Sequence, residues 1–122
     1  MGDKEIIEKS LSFLITDHNF KYRYETQNGN DMNFIYENKN GYFKYYQWPQ
    51  FNESEFSVLF DNEFKKINLF EIYPKFFSLF KKQHSGIKWL FKDKRQDYWS
   101  MIATILKHEI SISNSLFGLK IS

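Results

Sequence analysis

The stretch FKYRYETQNGNDMNFIYENKNGYFKYYQW, residues 20–48, decides the fold. Phe20, Tyr22 and Tyr24 alternate with Lys21, Arg23 and Glu25. A period of two puts rings on one side of an extended chain and charges on the other, which marks a half-buried strand. Met32, Phe34 and Tyr36 repeat the pattern against Asp31, Asn33 and Glu37, with Gln27-Asn28-Gly29-Asn30 between the two runs. A two-residue loop at Asn28-Gly29 would set Tyr22 opposite Ile35 and split the rings between both faces. A three-residue loop, residues 27–29, sets Tyr22 opposite Phe34, Tyr24 opposite Met32 and Phe20 opposite Tyr36. It keeps one apolar face and is the register predicted here.

Asn38-Lys39-Asn40-Gly41 marks a second turn, and the strand after it differs in kind. Tyr42, Lys44, Tyr46 and Trp48 lie on one side; Phe43, Tyr45 and Gln47 lie on the other. A two-residue turn at Asn40-Gly41 sets Tyr45 opposite Tyr36 and sends it to the core, so Tyr42, Tyr46 and Trp48 face away. Pro49 ends the strand because it has no N–H for the ladder. Phe56, Val58 and Phe60, alternating with Glu55, Ser57 and Asp61, give a fourth strand.

Around this meander the periodicity is helical. Asp3 is placed to cap a helix to about Thr16, with Ile7, Leu11, Leu14 and Ile15 as its stripe and Ile6 and Phe13 at the margins. After Asn68 a second stripe runs through Leu69, Ile72, Tyr73, Phe76, Phe77 and Phe80. Pro74 either kinks one helix or starts a new one, and proline's comfort at a first helical position favours the new start. Ser85-Gly86 stops it. Ile87, Trp89 and Phe91 suit a short strand or an extended connector equally. Asp93 to Gln96 has capping-box spacing, and Trp99, Ile102, Ala103, Leu106 and Ile110 form a further helical stripe. The tail from Ser111 is too apolar to hang free and is expected to pack back as a strand or wrap. Strands and helices are segregated along the chain. The expectation is one α+β domain over residues 1–122: an N-terminal helix, a four-stranded antiparallel meander, then two or three C-terminal helices on the sheet.

Composition narrows the function classes. With 122 residues the chain can bury a real core, and with 20% aromatics that core is ring-rich. The absence of cysteine excludes disulfides and thiolate zinc sites and fits a reducing, cytoplasmic compartment. No signal-peptide stretch or membrane-length apolar run occurs. The net charge of +2 is too small to imply nucleic acid by itself. The excess of Lys over Arg, with abundant Asn, Ile and Phe, suits an AT-rich bacterial genome. His18, His84 and His108 lack metal-ligand spacing, and no catalytic or phosphate-binding motif stands out. The expectation is therefore no catalytic residue, no metal and no cofactor.

Three surfaces remain as candidates. Glu53, Glu55, Asp61 and Glu63 form an acidic stretch that reads either as edge-protecting charge or as a surface meeting a basic partner, imitating nucleic acid toward a nuclease. Lys81, Lys82, Lys88, Lys92, Lys94 and Arg95, with Trp89 and Phe91 among them, read either as helix-end and connector charge or as a nucleic-acid-binding stretch over residues 81–95. Tyr42, Tyr46 and Trp48, with Lys44 in their midst, are either covered by helices or exposed as an interaction surface. A small-ligand pocket lined by Tyr22, Tyr24, Phe34 and Phe77 is a further alternative.

A small chain with bipolar charge, an aromatic strand face at Tyr42, Tyr46 and Trp48, and acidic Glu53, Glu55, Asp61 and Glu63 resembles bacterial toxin-immunity proteins. The resemblance is one of style over the whole chain. It implies a non-catalytic protein that binds one cognate toxin domain and blocks it by occlusion, through Tyr42, Lys44, Tyr46, Trp48 and the acidic residues.

Overall fold

The computed structural model describes residues 2–26, 30–48, 53–84 and 94–121. Its centre is an antiparallel sheet of five strands in sequence order: β1 Lys21–Glu25, β2 Met32–Asn38, β3 Gly41–Trp48, β4 Glu53–Phe60 and β5 Glu63–Ile67. Helices α1 (Asp3–Ser10) and α2 (Phe13–Thr16) precede it; α3 (Leu69–Ile72), α4 (Pro74–Gln83) and α5 (Lys94–Ser113) follow. A short hairpin, β6 Ser115–Leu116 and β7 Leu119–Lys120, ends the chain as a separate two-stranded sheet. The α+β class and the antiparallel meander are as expected, with five strands in place of four. No described helix is long and apolar enough to cross a membrane.

The alternation in β1 and β2 does make one apolar face, but the register lies two residues from the predicted one. Tyr22 pairs with Tyr36 and Tyr24 with Phe34. A shift of two preserves which side each ring takes. It stacks Tyr22 on Tyr36 at 4.9 Å and tilts Tyr24 against Phe34 at 5.2 Å. The loop predicted at residues 27–29 lies outside the described residues, as do Pro49, the Ser85-Gly86 stop, the connector at 87–91 and the Asp93 cap.

The second turn is also two residues from expectation. Asn38 pairs with Gly41, so Lys39 and Asn40 form the loop and Phe43, not Tyr45, faces Tyr36. The Asn38 side chain closes the turn by accepting from the Asn40 N–H at 2.8 Å. Gly41 serves a different need: at φ +154° a Cβ there would stand 1.9 Å from the Leu59 carbonyl oxygen. Tyr45 still reaches the core opposite Phe34, as its position parity requires.

Asp61 and Asn62 both have positive φ, and Phe60 pairs with Glu63 across them. This two-residue hairpin turn creates the unpredicted β5. Its four residues Glu63, Phe64, Lys65 and Lys66 are exposed and only Ile67 is buried, as suits a charged edge strand.

The helices cover one face of the sheet. Ile6, Ile7, Leu11, Phe13 and Leu14 from the N-terminal helices join Phe34, Tyr36, Phe43, Tyr45, Phe56 and Val58 in one buried cluster. Trp99 of α5 meets Tyr45 edge-on at 4.6 Å, and Ile102, Ala103, Leu106 and Ile110 complete the expected stripe. Asp3 does not cap α1: Gly2 is the N-cap, and Asp3 in the first turn accepts from Arg95 of α5 at 2.8 Å. The helix is not continuous to Thr16. It breaks at Leu11-Ser12, where the Ser12 hydroxyl donates to the Lys9 carbonyl at 2.8 Å. The break changes the helical phase, so Phe13 is buried and Ile15 is exposed. Pro74 begins α4 at its first turn, as predicted. The tail packs back, with Leu116, Phe117 and Leu119 buried and the Lys120 carbonyl accepting from the Asn38 and Asn40 side chains.

Candidate functional site: the open face of the sheet

The other face of the sheet has a different character. Reading across the strands, one row is Lys21, Glu37, Tyr42, Leu59 and Phe64; the next is Arg23, Ile35, Lys44, Ser57 and Lys66. A third is Glu25, Asn33, Tyr46 and Glu55, and Trp48 pairs with Glu53 at the end. Tyr42, Tyr46, Trp48, Leu59 and Phe64 are all absent from the core cluster and from the apolar residues packed against it. Ile35 is 5% exposed yet is not part of that cluster either. Among the described residues, no helix lays an apolar stripe on this side.

The face therefore gathers Tyr42, Lys44, Tyr46, Trp48, Glu53 and Glu55, six of the predicted partner-binding residues. Two fall elsewhere. Asp61 is not on this face with Glu55, Ser57 and Leu59, because its positive φ places it in the hairpin turn. Glu63 pairs with Phe60 and so shares the opposite side of the sheet.

Charge divides the face into two ends. Arg23 donates to Glu25 at 2.8 Å and to Glu37 at 2.6 Å, and the Lys44 ammonium lies 5.9 Å from the Tyr42 ring centre. At the other end Tyr46 and Trp48 meet in a T-shape, centroids 5.8 Å apart. The Tyr46 hydroxyl donates to Asp31 Oδ2 at 2.9 Å. Desolvation and this hydrogen bond raise the Tyr46 phenol above its ordinary pKa, and the Asp31, Glu53 and Glu55 charges act in the same direction. Asp31 is only 3% exposed, and its Oδ1 has no hydrogen-bond partner among the described residues. Ser57 Oγ is likewise buried without one.

Asp31, Ile35 and Phe64 were missed from sequence; strand parity already sets Leu59 beside Glu55 and Ser57, and the structure keeps it there. Asp31 shares position parity with Asn33 and falls across from Trp48 when the β2–β3 register is continued, a signal available only once the register is known.

The described ends of the basic stretch lie on two packed helices, with Phe80 of α4 against Tyr98 of α5 at 5.7 Å. Lys81 and Lys82 occupy the last turn of α4, where cations complement the helix dipole, and Lys94 and Arg95 open α5. Lys88, Trp89 and Lys92 lie outside the described residues. The aromatic pocket is not assembled. Tyr22 and Tyr24 lie under α1, the Tyr22 hydroxyl donating to Glu8 and Lys4 standing over Tyr24, and Phe34 is fully buried. Phe77 instead lines a cleft of about 280 Å³ with Phe56, Ile67, Phe70 and Tyr98. A groove of about 800 Å³ lies at the other end of the sheet between His18, Lys21, Glu37, Lys39 and Ile121. His84 is buried at the end of α4 against the Phe80 ring, its Nε2 3.1 Å from Asp97 Oδ2 in a poor direction for a hydrogen bond. The described residues contain no group of three His, Asp or Glu able to hold a metal ion.

No protein-family model matches this chain, and no curated protein or solved structure matches it significantly.

Proposed function

We propose that this chain is a non-catalytic protein-binding module whose open sheet face occludes one cognate partner, in the manner of bacterial toxin-immunity proteins. The observation that supports the reading is the set Tyr42, Tyr46, Trp48, Leu59 and Phe64, all packed outside the core on one side of the sheet. Tyrosine and tryptophan combine large apolar area with a polar tip, which is why they dominate the energetic centres of protein interfaces. The mixed charge around them supplies orientation, and the acidic end favours a basic toxin domain.

The test is capture by the tagged chain from its native host at moderate salt. One stoichiometric protein is expected. The double substitution of Tyr46 and Trp48 by Ala should abolish its recovery while circular dichroism stays unchanged. Replacing Lys81 and Lys82 by Ala should leave recovery intact. Recovery that survives the first pair and fails with the second, or nucleic acid in place of protein, would transfer the function to the basic stretch.

A further inference from the structure

We infer that the Trp48 end of the open face is a seat for an arginine side chain of the protein partner, held against the Tyr46 and Trp48 rings by the carboxylates of Asp31, Glu53 and Glu55. This rests on the open face being the partner-binding surface.

Position is the first support. Trp48 pairs with Glu53 and Tyr46 with Glu55, while Asp31 bonds to Tyr46 from the β2 side. The two rings thus stand between carboxylates on both flanks. Charge is the second. Arg23 is engaged by Glu25 and Glu37, and Lys44 leans toward Tyr42, so neither neutralises this end. Lys66 meets Glu55 at 3.4 Å with its own side chain 73% exposed, a contact that solvent weakens. Glu53 makes no ion pair among the described residues.

The third support is the orphan oxygen. A buried carboxylate is stable when donors match its oxygens and costly when they do not. Among the described residues Asp31 has a donor on Oδ2 and none on Oδ1. A charged donor that reaches this oxygen, which solvent does not touch in the free chain, supplies the missing match. Guanidinium suits the place better than ammonium. It is planar, stacks on aromatic faces, bonds carboxylates through two N–H groups, and gives up its water more readily. Three carboxylates repel a phosphate, so a nucleic-acid backbone does not fit this end.

The probes are three capped tripeptides, acetyl-Gly-X-Gly-amide with X arginine, lysine or citrulline, titrated into the full chain and followed by NMR. Trp48→Phe assigns the Trp48 indole signal. Arginine should give saturable shifts at Trp48 and Tyr46, lysine weaker ones and neutral citrulline none. Glu53→Gln should weaken arginine binding by about threefold, as for an exposed pair. Asp31→Asn should weaken it by about tenfold or more, as for a buried one. Should Asp31→Asn fail to fold, the double variant Glu53→Gln with Glu55→Gln carries the test on less buried side chains. Equal shifts with citrulline, no shift with arginine, or unchanged affinity in the double variant would overturn the seat. Shifts confined to Tyr42, Leu59 and Phe64 would also overturn it, while leaving the open face as the binding surface. The broader reading fails separately, when capture survives the Tyr46 and Trp48 substitutions.

Discussion

On the helix-covered side of the sheet, Phe34, Tyr36, Phe43, Tyr45, Phe56 and Val58 join the buried cluster with Trp99. On the other side, Tyr42, Tyr46, Trp48, Leu59 and Phe64 come from some of the same strands and stay outside it. Tyr45 and Tyr46 are chain neighbours with opposite fates. The strand cannot tell them apart except by parity; what differs is the neighbouring element. α5 brings a tryptophan edge to Tyr45 at 4.6 Å, whereas Tyr46 finds a carboxylate. Residue type sets what a side chain can do, and tertiary coverage decides whether it joins the core.

Trp99→Ala should break the covered face most severely. It empties space beneath Tyr45 and Phe56, and urea unfolding should register a loss of about 3–5 kcal/mol. Alkali sharpens the contrast next. Burial pushes the Tyr45 phenol up to about 12. Between the ordinary value near 10 and that higher one, the unfolded chain releases a proton that the folded chain keeps. Its contribution is therefore fully present below about pH 10 and falls as pH rises toward 12, by about 2–3 kcal/mol in all. Tyr45→Phe should flatten that part of the stability-versus-pH curve; a curve of unchanged slope would show that other phenols control it.

Tyr46→Phe lies at the boundary between the faces. It takes the side-chain donor from a buried carboxylate, and a loss of stability smaller than that of Trp99→Ala is expected in thermal or urea unfolding. No loss would mean that water replaces the hydroxyl. Tyr42→Ser should cost least, under about 1 kcal/mol, because that ring covers no core. A larger loss would mean that the open face also contributes to folding.

The sequence made some of this division legible. Period-two runs at Tyr22, Tyr24, Phe34 and Tyr36 announced strands, and the stripe from Trp99 to Ile110 announced α5. Position parity separated Tyr45 from Tyr42, Tyr46 and Trp48 even though both turn registers differed by two residues. Parity is robust because a two-residue shift returns every side chain to its own side. What stayed hidden depended on contacts distant in sequence. Gly41 resembled a turn glycine, but the close Leu59 carbonyl accounts for the missing side chain. β5 gave no alternation because Lys65 and Lys66 are both exposed on an edge. Asp31 looked like an ordinary polar residue after a turn, and only its place beside Tyr46 reveals its burial.

The packing of α5 on the sheet also sets the order in which the molecule can be finished during synthesis. The five strands leave the ribosome before the helix that carries Trp99. At roughly 5–20 residues per second, α5 and the terminal hairpin follow only a few seconds later. For that interval the rings of Tyr45 and Phe56 lack their lid, so the growing chain is most in need of a chaperone after its sheet is complete and before its last helix is made.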